Sequence, residues 1–159
     1  MSKIKPCLWF NGEAENAANF YVALFPGSRL DGIGRYGEGM PFPAGTALMV
    51  EFTLAGQGFQ ALNGGPQFKH SEAISLSITV ADQAELDHYW HGLIGDTGSP
   101  SMCGWLKDKY GVSWQVVPRV LVDLQKAGGA GVGRMMQKMM TMKKLDIAAL
   151  EAAYHGGGQ

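Results

Sequence analysis

Gln115 stands mid-strand in GWLKDKYGVSWQVVP (residues 104–118), an amide able to donate and accept hydrogen bonds but unable to neutralise a cation. The chain's other groups with chemical potential are the thiol of Cys103, the carboxylate of Glu51, and the imidazoles of His70, His88 and His91. A thiol beside a base could act as a nucleophile, and a carboxylate or imidazole as a general acid or base. His88 and His91 are three residues apart, a spacing that permits metal binding on a helix. Each has a plainer reading beside this. Without further donors the two histidines form a solvated helix face, and Cys103 is expected to be a structural thiol. Cys7 and Cys103 are too few and too distant in sequence for a disulfide framework or a four-cysteine zinc site. His70 and Glu72 lie in the linker GGPQFKHSE, where a solvated loop is the default and a contact at the rim of a site the sharper alternative. Lys107 and Asp108 lead into a hairpin turn and read as turn chemistry. Trp105 and Trp114 read first as core and second as the wall of a flat apolar pocket.

The elements that would position these groups must come from one modest chain. At 159 residues and 46% hydrophobic content it can bury one sizeable core, so a single domain is expected across 1–159. A net charge of −1 offers no basic field for nucleic acid. No run of about 18 apolar residues could cross a bilayer, and MSKIKPCLWF lacks an apolar targeting core. The expectation is a cytoplasmic protein whose partner is a small molecule.

IKPCLWF (4–10) predicts a strand. GEAENAANFYVALFPG predicts a helix, because Ala17, Phe20, Tyr21 and Leu24 share a face and Pro26-Gly27 ends it. SRLDGIGRY predicts a strand, GEGMPFPAGT a loop, and ALMVEFTLAGQGFQALN a hairpin turning near Gly56-Gln57. The order then restarts. AISLSITV predicts a strand, ADQAELDHYWHGLIG a helix capped by Asp82, and MCGWLKDKYGVSWQVVP a second hairpin. From Arg119 the chain predicts two or three helices broken by GGAGVG, with Met135, Met136, Met139, Met140 and Met142 mainly along one side as a packing or dimer surface.

Shifted by 69 residues, the first strand-helix unit overlays the second: Glu13 on Asp82, Phe20-Tyr21 on Tyr89-Trp90, Leu24 on Leu93. Shifted by 55, AGQGFQALN overlays YGVSWQVVP, pairing Gly56 with Gly111, Phe59 with Trp114 and Gln60 with Gln115. The class is therefore α+β, two β-α-β-β-β modules (about 4–63 and 73–118) followed by a helical extension (about 119–155).

That repeat, with LWFNGEAENAANFYVALFPGSRL, EFTLAGQGFQALNGGPQF and CGWLKDKYGVSWQVVP, resembles the vicinal oxygen chelate superfamily of glyoxalase I, bleomycin-resistance proteins and extradiol dioxygenases. Within it the chain is similar to the PhnB-like branch, which carries the label 3-demethylubiquinone-9 3-methyltransferase, and MMTMKKLDIAALEAA (139–153) also looks like this branch. The resemblance implies curved, mainly antiparallel sheets lining a cleft, with metal ligands on the first and last strands of each half in metal-dependent members. Carried over, those positions fall at Pro6, Gln60, Ser75 and Gln115, none of which supplies imidazole or carboxylate. The expectation is a cleft with no metal and no cofactor, lined by Gln60, Ser75, Ser77, Gln115, Trp105 and Cys103. The superfamily also implies that two modules pair, within a chain or across a homodimer, and the apolar C-terminal helices, more than one small barrel needs to cover itself, lead to the expectation of a homodimer. A methyl donor is commonly held on a Gly-rich turn between a strand and a helix; GGAGVG instead follows the helical RVLVDLQKA. Two function classes stay open: a module that binds a small, partly apolar organic molecule, and an enzyme using Cys103, Glu51 or His70 for lyase, isomerase or transferase chemistry. A titratable side chain beside Gln60 and Gln115 would favour the second.

Overall fold

The computed structural model describes residues 2–157, and the chain divides into two compact units between His70 and Ser71. In the first, β1 (Cys7–Phe10), α1 (Ala14–Leu24), β2 (Arg29–Arg35), β3 (Ala47–Leu54) and β4 (Gln57–Asn63) follow in order. They form a four-stranded sheet in the order β1-β4-β3-β2, with β1 parallel to β4 and the other pairs antiparallel. The helix forms because its apolar positions recur at helical spacing: Ala14, Ala17, Ala18 and Tyr21 are all buried against β3 and β4. Tyr21 stacks on Phe52 at 6.3 Å between ring centres, and Phe52 on its cross-strand partner Phe59 at 5.5 Å. The hairpin turns at Ala55-Gly56, one residue before the position expected from sequence. Both residues adopt positive φ (47° and 88°), the backbone of a two-residue turn whose twist matches the strands.

The second unit repeats the order with β5 (Leu76–Val80), α2 (Gln83–Ile94), β6 (Ser99–Pro100), β7 (Trp105–Lys107) and β8 (Ser113–Pro118), in a sheet β5-β8-β7-β6. Again the first strand is parallel to the last and the remaining pairs are antiparallel. β6 has only two residues and no hydrophobic alternation, so the sequence gives no sign of it. Asp82 caps α2 as expected, accepting from the Glu85 amide at 2.9 Å. Leu86, Tyr89, Trp90 and Leu93 form the buried stripe of that helix.

After β8 come α3 (Arg119–Ala127), α4 (Ala130–Met139) and α5 (Ile147–Tyr154); only Gly128-Gly129, not the whole of GGAGVG, breaks the helices. Gly131 is required where α4 meets α5, since a side chain there would run into the Tyr154 backbone carbonyl. Arg134 donates to the carbonyls of Ala153 (3.1 Å) and Tyr154 (2.7 Å) across the same contact. The Gln83 amide fastens the extension to α2, donating to the Leu145 carbonyl (3.1 Å) and accepting from the Ile147 amide (2.9 Å). The methionines do not share one surface: Met135 is fully buried in this packing, whereas Met140 is 65% exposed.

Candidate functional site

Strand alternation sorts the second sheet into two faces. Leu106, Trp114 and Val116 are buried on the side packed by α2. Ser77, Trp105, Lys107, Ser113 and Gln115 occupy the other face, because Gln115 is the cross-strand partner of both Ser77 and Trp105, and Ser113 of Lys107. Gln115 is half-buried and donates through Nε2 to the Ser75 hydroxyl at 2.9 Å, leaving Oε1 to accept. Four of the residues expected from sequence, Gln115, Ser75, Ser77 and Trp105, are therefore brought together. Cys103 is not among them. It lies in the turn before β7 with φ of 61°, and its amide donates to the Met142 carbonyl at 2.8 Å, which fixes it against the C-terminal segment.

The hairpin that presents Gln115 is built on Asp108. This buried carboxylate accepts from the amides of Tyr110 (2.8 Å) and Val112 (3.1 Å) and from the Trp114 indole (2.8 Å). Turn chemistry is thus its role, and it also fixes the Trp114 ring under the strand that carries Gln115.

In the first sheet the matching face carries Cys7, Glu51 and Gln60, since Gln60 is the partner of Cys7 on β1 and of Glu51 on β3. Gln60 Nε2 donates to Glu51 Oε1 at 3.1 Å, and Lys5 Nζ stands 3.7 Å from the same oxygen. Partial desolvation pushes the Cys7 thiol up from its ordinary range. Pro6, the position carried over by resemblance, is displaced from this group. It precedes β1 and offers only its carbonyl, which accepts from the Gln60 amide at 2.9 Å. The reason is a one-residue offset: the helices repeat at 69, but the first strands repeat at 70, since Cys7 and Ser77 are the partners of the two glutamines and 77 − 7 = 70. His70 packs its ring on Phe10 at 5.4 Å, with a buried Nε2 that has no hydrogen-bond partner among the described residues.

Glu51 beside Gln60 could have been found by counting outward from the two-residue turn, which pairs 54 with 57 and hence 51 with 60. Ser113 follows from alternation, two residues before Gln115 on the same strand.

The family model described as 3-demethylubiquinone-9 3-methyltransferase matches residues 2–117. The chain belongs to that family. The PhnB protein from Bacillus cereus is 39% identical, with 74% of this chain and 99% of that one covered at a TM-score of 0.69. Protein PA1353 from Pseudomonas aeruginosa is 23% identical over 74% of this chain and 98% of its own, at 0.61. The fosfomycin resistance protein FosX from Listeria monocytogenes, solved with Mn(II) and sulfate, shares the fold at 0.53 with 8% identity, covering 80% and 98%. No curated protein matches. The fold and the family place the chain in the vicinal oxygen chelate superfamily. The family match stops before α3, so the C-terminal helices lie outside it.

The superfamily's divalent metal was tested against the side chains present. In the first unit Cys7, Gln60 and Glu51 offer one thiol, one neutral amide and a carboxylate already engaged by Gln60 and faced by Lys5, and in the second Ser77 and Gln115 offer a hydroxyl and a neutral amide. Among the described residues no three His, Cys, Asp or Glu side chains are placed to hold a metal ion. The donor set does not fit a hard or borderline dication. No helix among the described residues is long and apolar enough to cross a membrane.

Proposed function

We propose that this PhnB-like protein binds a small, partly apolar organic molecule on the polar face of the second sheet, with Gln115, Ser75 and Ser77 as hydrogen-bonding contacts and Trp105 as an apolar wall, and without a metal ion. The observation that carries this reading is the convergence of Gln115, Ser75, Ser77 and Trp105 on the face of β5, β7 and β8 opposite the buried one. Few precisely placed polar groups beside an aromatic surface are what a small-molecule site requires. Cys103, tied by its backbone to Met142, serves as a structural thiol. The methyl transfer in the family's name finds little support here, because 128–133 joins two helices instead of a strand to a helix.

A second reading, acid-base catalysis, draws on Glu51. Its carboxylate lies beside Gln60 on the matching face of the first sheet, and a general base must be such a titratable group within reach of a bound molecule. The exposed apolar side chains Ile4 (81%), Phe68 (67%) and Ile74 (76%) favour a homodimer that covers them.

A thermal-shift screen of metabolites and antibiotics, with and without added metal ions, tests the proposal. A ligand should raise the melting temperature equally in both conditions, and elemental analysis of the purified protein should find no stoichiometric divalent metal. Stabilisation that depends on zinc, nickel, iron or manganese would overturn it. Glu51→Gln separates the two readings: binding survives in either case, but turnover of an identified ligand is lost only if Glu51 is the base.

A further inference from the structure

A recess of about 190 Å³ opens at the β6-β7 edge of the second unit, lined by Glu72, Ser99, Ser101, Trp105, Lys107 and Ser113 together with Pro100 and Leu106. We propose that it takes a short uncharged polyol, or the polyol portion of a larger molecule. This deepens the reading given above and rests on it, because Trp105 belongs to both places.

Ser113 is the observation that asks for a ligand. It lies on the same face as Gln115, yet it is only 2% exposed, and its buried hydroxyl has no hydrogen-bond partner among the described residues. A buried hydroxyl is normally paired, since leaving it unpaired forfeits the hydrogen bonds it made in water. Ser99, the cross-strand partner of Lys107, and Ser101 add two more hydroxyls to the same recess. The charges decide which class of ligand these hydroxyls meet. Lys107 Nζ lies 2.5 Å from Glu72, and this hydrogen bond holds the Glu72 carboxyl below the ordinary carboxylate range. The lining therefore carries one cation and one anion that already satisfy each other. An anionic ligand reaching Lys107 would be set against the negative charge of Glu72, and among the described residues no second cation lines the recess to offset it. A hydroxyl group meets no such conflict. It can accept from Lys107 and donate to Glu72 while its neighbours exchange hydrogen bonds with the serines. The half-exposed Trp105 ring offers the apolar surface on which a polyol's C–H groups can lie. The volume equals about six waters at roughly 30 Å³ each, which suits a chain of about four or five hydroxylated carbons.

The test is a titration of the full chain, labelled with nitrogen-15, with xylitol, and in parallel with inorganic phosphate and with acetate. Xylitol should shift the amide signals of Ser99, Ser101, Trp105 and Ser113 saturably, and the two anions should not. Ser113→Ala removes a hydroxyl that has no protein partner, so the variant should keep its melting temperature and bind xylitol about fivefold more weakly, the worth of one neutral hydrogen bond. Trp105→Leu is the second variant and should weaken xylitol at least as much. Saturation by phosphate or acetate in place of xylitol would overturn the inference, as would unchanged xylitol binding by Ser113→Ala. If a ligand from the metabolite screen shifts Gln115 and Ser77 while xylitol leaves Ser113 unmoved, the polyol recess fails and the small-molecule reading stands. If neither moves this face, both fail.

Discussion

The two units fold the same β-α-β-β-β order into the same strand arrangement, yet they hold the start of the helix in different ways. In the second unit the cap is local: Asp82, directly before α2, accepts from the Glu85 amide. In the first, Glu13 stands at the matching position and its side chain makes no cap. The task passes to Asn63 at the end of β4, whose Oδ1 accepts from the amides of Gly12 (2.8 Å) and Ala14 (3.0 Å) while its Nδ2 donates to the Ala47 carbonyl (2.8 Å). Tyr36 adds a 2.6 Å hydrogen bond to the Asn63 carbonyl. The position 55 residues on from Asn63 is Pro118, which has no side-chain amide to offer. A helix entry needs one acceptor for its free amides, and either the preceding residue or a neighbouring strand can supply it. The same freedom operates beside the glutamines. Gln60 has Cys7 and Glu51 as cross-strand partners, whereas Gln115 has Ser77 and Trp105. One unit therefore presents a carboxylate at that place, and the other an aromatic ring.

The largest effect is expected where the second unit adds a polar anchor to an apolar position. Trp114 and Phe59 are repeat partners and both buried, but only the indole can donate to a carboxylate such as Asp108. Trp114→Ala should cost roughly 3–5 kcal/mol in urea unfolding, through the cavity it leaves. Trp114→Phe keeps most of the packing and removes one donor from a buried carboxylate, so about 1–3 kcal/mol is expected. If Trp114→Phe is as stable as the native chain, Asp108 owes nothing to the indole, and the two hairpins differ only in length.

Next in size is the helix-capping contrast. Asn63→Ala leaves the Gly12 and Ala14 amides and the Ala47 carbonyl without their partner in a fully buried place, and about 2–4 kcal/mol is expected. Asp82→Ala removes one exposed cap and should cost about 1 kcal/mol. Equal losses from the two variants, measured by chemical denaturation, would refute the distinction between a local cap and one supplied by a strand.

These pairs also show what could be read from the sequence. The modules, both main helices and the Asp82 cap follow from short-range pattern: apolar spacing, glycine and proline punctuation, and an acidic residue before an apolar run. The face of β8 followed from alternation, which put Trp114 and Val116 inward and Gln115 outward as found. Contacts that join distant segments left no such trace. Nothing local marks Asn63 as the cap of a helix 49 residues earlier, or Gln115 as the donor to Ser75 across 40 residues. The one-residue offset that exchanges Pro6 for Cys7 is set by strand pairing, which depends on how the sheet closes. Cys103 shows the same limit: two residues before a short strand, it takes a left-handed turn whose partner, Met142, comes from a segment with no counterpart in the repeat.

The smallest expected effect on stability concerns Gln115. Its amide is half-buried on the open face and its side-chain partner, Ser75, is itself a loop hydroxyl outside β5. Removing the amide frees Ser75 to bond water, so neither group is left buried and unsatisfied. Gln115→Ala should therefore change the unfolding free energy by under about 0.5 kcal/mol. The same change in the first unit is not equivalent. Gln60 restrains Glu51, and Gln60→Ala leaves that carboxylate to Lys5 alone, a partly exposed pair of the kind worth about 1 kcal/mol or less. Stability should again change little, but the carboxylate should become freer to move. Once a ligand is in hand, Gln115→Ala should weaken it by about 1 kcal/mol through loss of one hydrogen bond, without altering turnover if there is any. Gln60→Ala should act on turnover more than on affinity wherever Glu51 serves as a base, because it disturbs the placement of the carboxylate. Calorimetric titration of both variants with the same ligand decides the matter. If Gln115→Ala unfolds the protein while affinity per folded molecule stays the same, then Gln115 is a packing amide, and the difference between the two units lies in their cores alone.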